Sequence, residues 1–393
     1  MSGRSQITAL LLAALVVLAP SAAAAKGPPV DARSWALIDA RSGDVLVSHA
    51  GARHLPIAST TKLMTAYAAL RELPLDRIVR AAPYEAEYGE SLLELRPGQR
   101  ISVRDLLYGL ILRSGNDAAY DLALAAAGSE QRFVAQMNRY AAAIGLADTH
   151  YANPIGLDQD GNYSSARDLA TLARRLLRNR AFARIADSRS ARLRSLRPAR
   201  TIETLNDLLY DAPWTTGVKT GHTFGAAYVL VGSGLRRGTN LISVVIGAPT
   251  ETERDLASLR LLEYGFSLYR QRTPVVKGER LASPSIRYSG GELPLRAART
   301  VTVGLRPDQH LSLTVRAPGE VEGPIDRGTP LGRATVYVDG KRVGSAPLRA
   351  AHAVEGASLP ERVGSFLGDE KIPVGIALCV ILLGAVLLRR FSR

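Results

Sequence analysis

Cysteine is almost absent from this chain. Cys379 is the only one, so no intrachain disulfide can form and no cysteine cluster can hold a metal, and its place in an apolar run excludes thiol catalysis. Zinc-ligand spacings, internal repeats and basic repeats interleaved with aromatics are also missing, which removes nucleic acid from the candidate partners. No pattern calls for a metal or an organic cofactor. Acidic residues are scarce relative to basic ones: 36 Asp and Glu stand against 50 Lys and Arg, a formal net charge of +14. That excess points to anionic surroundings, such as membrane headgroups or wall polymers, or to plain solubility. Apolar material is abundant, at 46% of 393 residues, so packed cores are expected, and the length suggests two folded units plus targeting segments.

Both ends read as targeting segments. Residues 1–25 carry Arg4, an apolar stretch from Ile7 to Ala19, and Ala23-Ala24-Ala25 ahead of Lys26, the pattern of a cleaved secretory signal peptide. Residues 372–388 form an apolar run, with Asp369, Glu370 and Lys371 before it and Arg389, Arg390 and Arg393 after it. That run is near the lower limit for a bilayer span and offers no polar face for lying in the membrane plane, so it predicts a transmembrane anchor. The arginines beyond it place a basic tail, 389–393, in the cytoplasm and the body of the chain outside. The expected location is the periplasmic side of the bacterial inner membrane. The competing readings are an uncleaved N-terminal anchor and an interfacial C-terminal helix.

Between the ends, Trp35 to His49 reads as a hairpin around Arg41-Ser42-Gly43-Asp44. Helix-period apolar residues follow at Lys62–Leu70, Val103–Leu112, Ala118–Ala127, Gln131–Ile144 and Ala166–Arg178. Strand patterning returns at Val218–Thr220, Ala227–Ser233 and Leu241–Gly247, before a last helix from Glu251 to about Tyr269. An early hairpin, a helical excursion and late strands predict an α+β domain: one mixed, mainly antiparallel sheet made from both ends, with a helical subdomain inserted. The catalytic domain is assigned to 26–272. Short Val/Leu/Thr segments broken by Pro and Gly make 273–352 a small β-domain, and 353–371 a linker.

Three short segments carry chemistry. Ser59-Thr60-Thr61-Lys62 lies where a helix begins, and a spacing of three puts Ser59 and Lys62 on one helix face. Burial lowers a lysine's pKa, which leaves the amine neutral and able to take a serine's proton, and a helix N-terminus favours the charge that develops. Ser114-Gly115-Asn116 falls between two helices, where the hydroxyl can relay a proton and the amide can orient a lysine or hold a carbonyl. Lys219-Thr220-Gly221 is predicted on an edge strand, able to pair with an extended peptide, with Gly221 permitting close approach. The backbone N–H groups of His222 and Ser59 suit an oxyanion hole, and the His222 side chain reads as a wall of the site rather than a base. Alone, the first two segments read sooner as an ordinary helix cap with a surface lysine and a helix-capping loop.

As an ordered set, Ser-x-x-Lys, Ser-x-Asn and Lys-Thr-Gly, the chain resembles the low-molecular-mass penicillin-binding proteins that are D-alanyl-D-alanine carboxypeptidases. The likeness extends over nearly the whole mature chain, including Asn153-Pro154-Ile155-Gly156-Leu157-Asp158, Tyr163-Ser164-Ser165-Ala166 and Leu261 to Phe266. It implies the penicillin-binding and β-lactamase-like transpeptidase fold. It also implies Ser59 as acylated nucleophile, Lys62 as base, Ser114 and Asn116 as relay and orienting groups, and Lys219 as electrostatic partner. Arg254 is implied as a ligand of the substrate's terminal carboxylate, against the alternative of a plain salt bridge. Peptidoglycan stem peptides are the implied substrate and β-lactams the implied covalent inhibitors. A DD-endopeptidase would use the same residues. A β-lactamase is disfavoured because no Glu-x-x-x-Asn segment accompanies the helices, and a catalytically silent wall-binding protein has no need of all three motifs. The arginine-rich stretch from Arg184 to Arg200 is either a solvated hairpin or a contact for anionic wall or lipid.

Overall fold

The computed structural model describes residues 27–362. The predicted signal peptide, the far half of the predicted linker and the predicted membrane anchor lie outside the described residues. Among those described, no helix is long and apolar enough to cross a membrane.

The chain opens with strands β1 (Ser34–Asp39) and β2 (Val45–His49), then a single 3-10 turn, Ala58–Thr61, that runs into α1 (Lys62–Glu72). Next come β3 (Ile78–Arg80), β4 (Arg100–Ser102), α2 (Val103–Leu112), α3 (Asn116–Ala127), α4 (Glu130–Ala143), α5 (Ala166–Leu177) and α6 (Arg180–Ala186). A hairpin of β5 (Ser190–Leu193) and β6 (Arg200–Glu203) leads through the short α7 (Leu208–Asp211) to β7 (Thr215–Thr223), β8 (Ala227–Arg236), β9 (Thr239–Ala248) and α8 (Glu251–Ser267). Side-chain caps mark where several helices begin. Ser102, Ser129, Ser165 and Thr250 each accept a backbone N–H three residues on, at the starts of α2, α4, α5 and α8. Each such cap is worth about 1 kcal/mol.

One five-stranded sheet, in the order β2-β1-β9-β8-β7, organises the catalytic unit. It is antiparallel at every pairing, a correction to the mixed sheet expected, because hairpins join β1 to β2, β7 to β8 and β8 to β9, and β1 meets β9 in reverse sense after the helical insertion. Alternating side chains serve two cores, as the two-residue period of a strand requires. From β1 and β9, Leu37, Leu241 and Val245 pack with Leu261 and Leu262 of α8. Their neighbours Ala36, Ile38, Ile242, Val244 and Ile246 pack with the inserted helices. Coverage of both faces explains why β1 is buried along its whole length. It also leaves β7 as an edge beside the helical subdomain, where a cleft can form.

The second unit is all β. Its strands are β10 (Arg270–Val275), β11 (Arg280–Ala282), β12 (Ser285–Ile286), β13 (Leu295–Ala297), β14 (Val301–Leu305), β15 (Leu311–Arg316), β16 (Glu320–Val321), β17 (Pro330–Val338) and β18 (Lys341–Ala350). It begins slightly before the predicted boundary at 273, since β10 pairs with β14, and it reaches past 352, since Val354 still pairs with Ile325. Arg306 joins the two units, 2.9 Å from Asp44 and 3.9 Å from Asp39.

Candidate active site

Ser59 sits within the 3-10 turn, half-buried, and Lys62 is the first residue of α1 with no exposed surface. The turn is tight: Ala58, just before Ser59, has φ of 47°, a left-handed conformation that costs a non-glycine residue energy and is found most often at functional sites. Lys62 Nζ donates to Ser59 Oγ at 2.9 Å and to the Ile155 carbonyl at 2.5 Å. That carbonyl belongs to a loop shaped by Asn153, whose Oδ1 accepts the N–H groups of Ile155 and Gly156. Gly156 is required there, because at φ of 93° a Cβ would collide with the Ala58 carbonyl oxygen.

The second wall is the junction of α2 and α3. Ser114 also has positive φ, 58°, and Asn116 begins α3 with only 4% of its surface exposed. Asn116 Nδ2 donates to Glu90 Oε2 at 2.6 Å, and its backbone N–H to the Ser91 carbonyl at 2.8 Å. Glu90 also accepts from Tyr84 Oη at 2.6 Å and from the Glu87 N–H at 3.0 Å. The loop bearing these residues is pinned to α3 by two buried carboxylates. Asp117 accepts from the N–H groups of Leu93 and Leu95, and Asp121 from that of Ala82. Glu90 thus holds one amide hydrogen of Asn116, leaving the second hydrogen and Oδ1 for the cleft. Sequence reasoning missed Glu90, and it missed the Ile155 carbonyl although it singled out the surrounding residues.

The third wall is β7, at the sheet edge as predicted. Lys219, 1% exposed, donates to Ser114 Oγ at 3.0 Å and to the Thr220 carbonyl at 2.7 Å. Thr220 is buried, with 9% of its surface exposed, and Gly221 lies so close to the turn that a Cβ would come within 2.9 Å of the Ser59 nitrogen. His222 is exposed, and its ring lies tilted against that of Tyr228 with centroids 4.3 Å apart. Arg254 is buried, with 2% of its surface exposed, and donates to Asp255 through Nε and Nη2, with Glu251 3.0 Å from Nη2. Its Nη1 has no hydrogen-bond partner among the described residues.

Electrostatics bind these walls into one site. Burial, then the like charge of Lys219, holds the Lys62 amine well below its ordinary 10.5, with Glu90 and Asp117 pulling partly back. Burial, then the Arg254 guanidinium, brings Lys219 down to about 7. Burial tends to raise the Glu90 carboxyl, but the bonds from Asn116, Tyr84 and Glu87 and the Lys62 charge outweigh it, so the net shift is downward. The result is a hydroxyl bonded to an amine that gives up its proton easily, facing a second cation across the cleft. This arrangement can support acyl transfer through serine. Among the described residues no group of His, Cys, Asp and Glu is placed to hold a metal ion.

The sequence profile of the D-alanyl-D-alanine carboxypeptidase family matches residues 21–250. The chain belongs to that family. A second profile, that of the penicillin-binding protein 5 C-terminal domain, matches residues 269–356, the β unit of this carboxypeptidase. D-alanyl-D-alanine carboxypeptidase DacC of Escherichia coli K12 is 34% identical over 376 residues, covering 90% of this chain and 92% of that protein. DacA of the same strain is 34% identical over 341 residues, 82% of this chain and 83% of that one. Among solved structures, penicillin-binding protein 6B of Escherichia coli matches with a TM-score of 0.61 at 29% identity, over 83% of this chain and 98% of that one. Penicillin-binding protein 5 of Haemophilus influenzae matches with a TM-score of 0.58 at 28% identity, over 84% and 98%. The protein is a serine-type D-Ala-D-Ala carboxypeptidase, a hydrolase with the penicillin-binding transpeptidase fold followed by a C-terminal β-domain.

Proposed function

We propose that this carboxypeptidase trims the terminal D-alanine from peptidoglycan pentapeptides through an acyl-enzyme on Ser59. The neutral Lys62 amine accepts the Ser59 proton as Oγ attacks the carbonyl of the penultimate D-alanine. The backbone N–H groups of Ser59 and His222 receive the oxyanion, while Asn116 steadies the substrate amide. The C–N bond then breaks, and a proton relayed from Lys62 through Ser114 passes to the leaving amine of D-alanine. Water, losing its proton to the same Lys62 amine, attacks the ester carbonyl; the bond from that carbon to Ser59 Oγ breaks, and Lys62 returns the proton to Oγ, which frees the shortened peptide and restores the Ser59 hydroxyl. Lys219 and Arg254 supply positive charge for the terminal carboxylate, Arg254 with its unpartnered Nη1. Thr220 and Gly221 hold the peptide along the edge of β7, with His222 as a wall. β-Lactams present the same carbonyl and carboxylate and would trap the acylated serine.

The observation that carries this reading is the 2.9 Å bond from a fully buried Lys62 to Ser59. Incubating purified protein with pentapeptide and with crosslinked dimer, and weighing the products, tests it: tetrapeptide plus free D-alanine is expected. Release of monomers from the dimer alone would make it an endopeptidase instead.

If Lys219 acts as a cation, kcat/KM falls above about pH 7, where its amine loses the proton. Lys219→Arg stays charged throughout, so its profile, at whatever reduced height, should lack that alkaline limb. Identical limbs in the two proteins would refute the role.

We also infer export by residues 1–25 and retention at the inner membrane by residues 372–388, supported by their apolar runs and flanking charges. Deleting 372–393 should move the protein from the membrane to the soluble periplasmic fraction. Unchanged membrane retention would disprove the anchor.

A further inference from the structure

Outside the cleft, the most heavily charged feature is the β5–β6 hairpin and the surface facing it. Leu193 and Leu196 are buried, with 0% and 1% of their surface exposed, which fixes the hairpin and turns Arg192, Arg194 and Arg197 outward. Opposite it, Arg80 and Arg100 are direct partners across β3 and β4, both exposed. Like charges placed directly opposite one another destabilise a strand pair. Around the hairpin runs a chain of clefts that share residues end to end. One of about 290 Å³ lies between Arg113 and Arg200, and the next, of about 510 Å³, between Arg96 and Arg197. Two more, of about 500 and 530 Å³, continue past Arg100 to Arg192 and Arg194.

Carboxylates offset only part of this charge: Glu94, which is 3.7 Å from Arg200, Glu203, Asp76 and Asp105 line the clefts against eight arginines. Arg96, Arg100, Arg113, Arg192, Arg194 and Arg197 form no ion pair among the described residues, and Arg200 Nε is buried without a partner. One end of the groove lies against the segments that build the catalytic cleft. Arg113 precedes Ser114, and Arg200 donates to the carbonyl of Leu93 on the loop that carries Glu90 to Asn116.

We propose that this arginine groove is an exosite for the wall polymer, binding the carboxylates of stem peptides neighbouring the one in the cleft. The proposal rests on the reading of the substrate as a peptidoglycan peptide. An elongated, arginine-lined groove suits an extended chain whose carboxylates recur along its length, whereas a lipid surface calls for a flat or convex face. Binding there raises the local concentration of reactive ends without touching the chemistry.

The test compares D-alanine release from a free pentapeptide and from soluble glycan strands carrying pentapeptides. For the wild type, KM on the strands should rise steeply from low to roughly 0.3 M salt, while KM on the free peptide changes little. The triple variant Arg192→Glu, Arg194→Glu, Arg197→Glu changes only exposed positions. It should keep kcat/KM on the free peptide within about twofold and raise KM on the strands roughly tenfold or more. A salt-independent KM on strands for the wild type, which needs no variant, would overturn the proposal. So would unchanged strand kinetics in a triple variant that still labels with penicillin. If the triple variant lost only binding to anionic phospholipid vesicles, the groove would be a lipid contact and the proposal wrong. Failure of the wild type to release D-alanine from the free peptide would instead strike the catalytic reading, not the exosite.

Discussion

Ser59→Ala abolishes D-alanine release, with kcat expected to fall by roughly 10⁴ to 10⁶. The loss is this large because the hydroxyl is the atom that becomes covalently bonded, and no nearby group can replace it. Ser114 Oγ is engaged with Lys219 Nζ at 3.0 Å, and the Lys62 amine that Ser59 uses is turned to Ser59 and the Ile155 carbonyl. Alanine is smaller than serine and Ser59 is only half-buried, so the fold is not at risk. Product assay by mass on folded variant is the check. Residual activity within about a hundredfold of wild type would move the nucleophile elsewhere.

The second large effect is at Lys62. Lys62→Met keeps the unbranched shape and removes the base, and acylation by a β-lactam or pentapeptide is expected to slow by about 10² to 10⁴. Lys62→Arg should be no better. Its guanidinium keeps the positive charge but holds its proton at all accessible pH, so it cannot accept one from Ser59. A role limited to charge or hydrogen bonding would be rescued by arginine, and rescue would therefore contradict the account. The companion variant Glu90→Gln removes a negative charge that raises the Lys62 pKa, so the acid limb of the pH profile should shift to lower pH. An unmoved acid limb would separate Glu90 from the base.

How far the sequence foretold this site depends on the kind of interaction. The helix α2 was legible to the residue, from Val103 to Leu112, because a one-sided apolar period shows directly in the letters. Ser59, Lys62, Ser114, Asn116 and Lys219 were legible as motifs; bonds of 2.9 and 3.0 Å pair Lys62 with Ser59 and Lys219 with Ser114, while Asn116 is held by Glu90. Glu90 was invisible. It lies on a loop without periodicity, and its bond to Asn116 depends on Asp117 and Asp121 tethering that loop from a helix many residues away. The Ile155 carbonyl was hidden for another reason: a main-chain acceptor has no letter of its own, and only the glycine and asparagine that shape its loop hint at it. The sheet was expected to be mixed because alternation identifies a strand without revealing its direction. Arginine clustering between Arg184 and Arg200 was plain, but whether it faced one groove depended on Leu193 and Leu196 anchoring the hairpin.

Burial and a neighbouring cation turn Lys62 into a base for one particular hydroxyl, that of Ser59. Treating the protein with a penicillin, digesting it and locating the added mass tests this directly. The account predicts a single adduct, carried by the peptide that contains Ser59, forming more slowly as the pH drops through the acid limb. An adduct on any other residue, or a rate of labelling indifferent to pH, would contradict it.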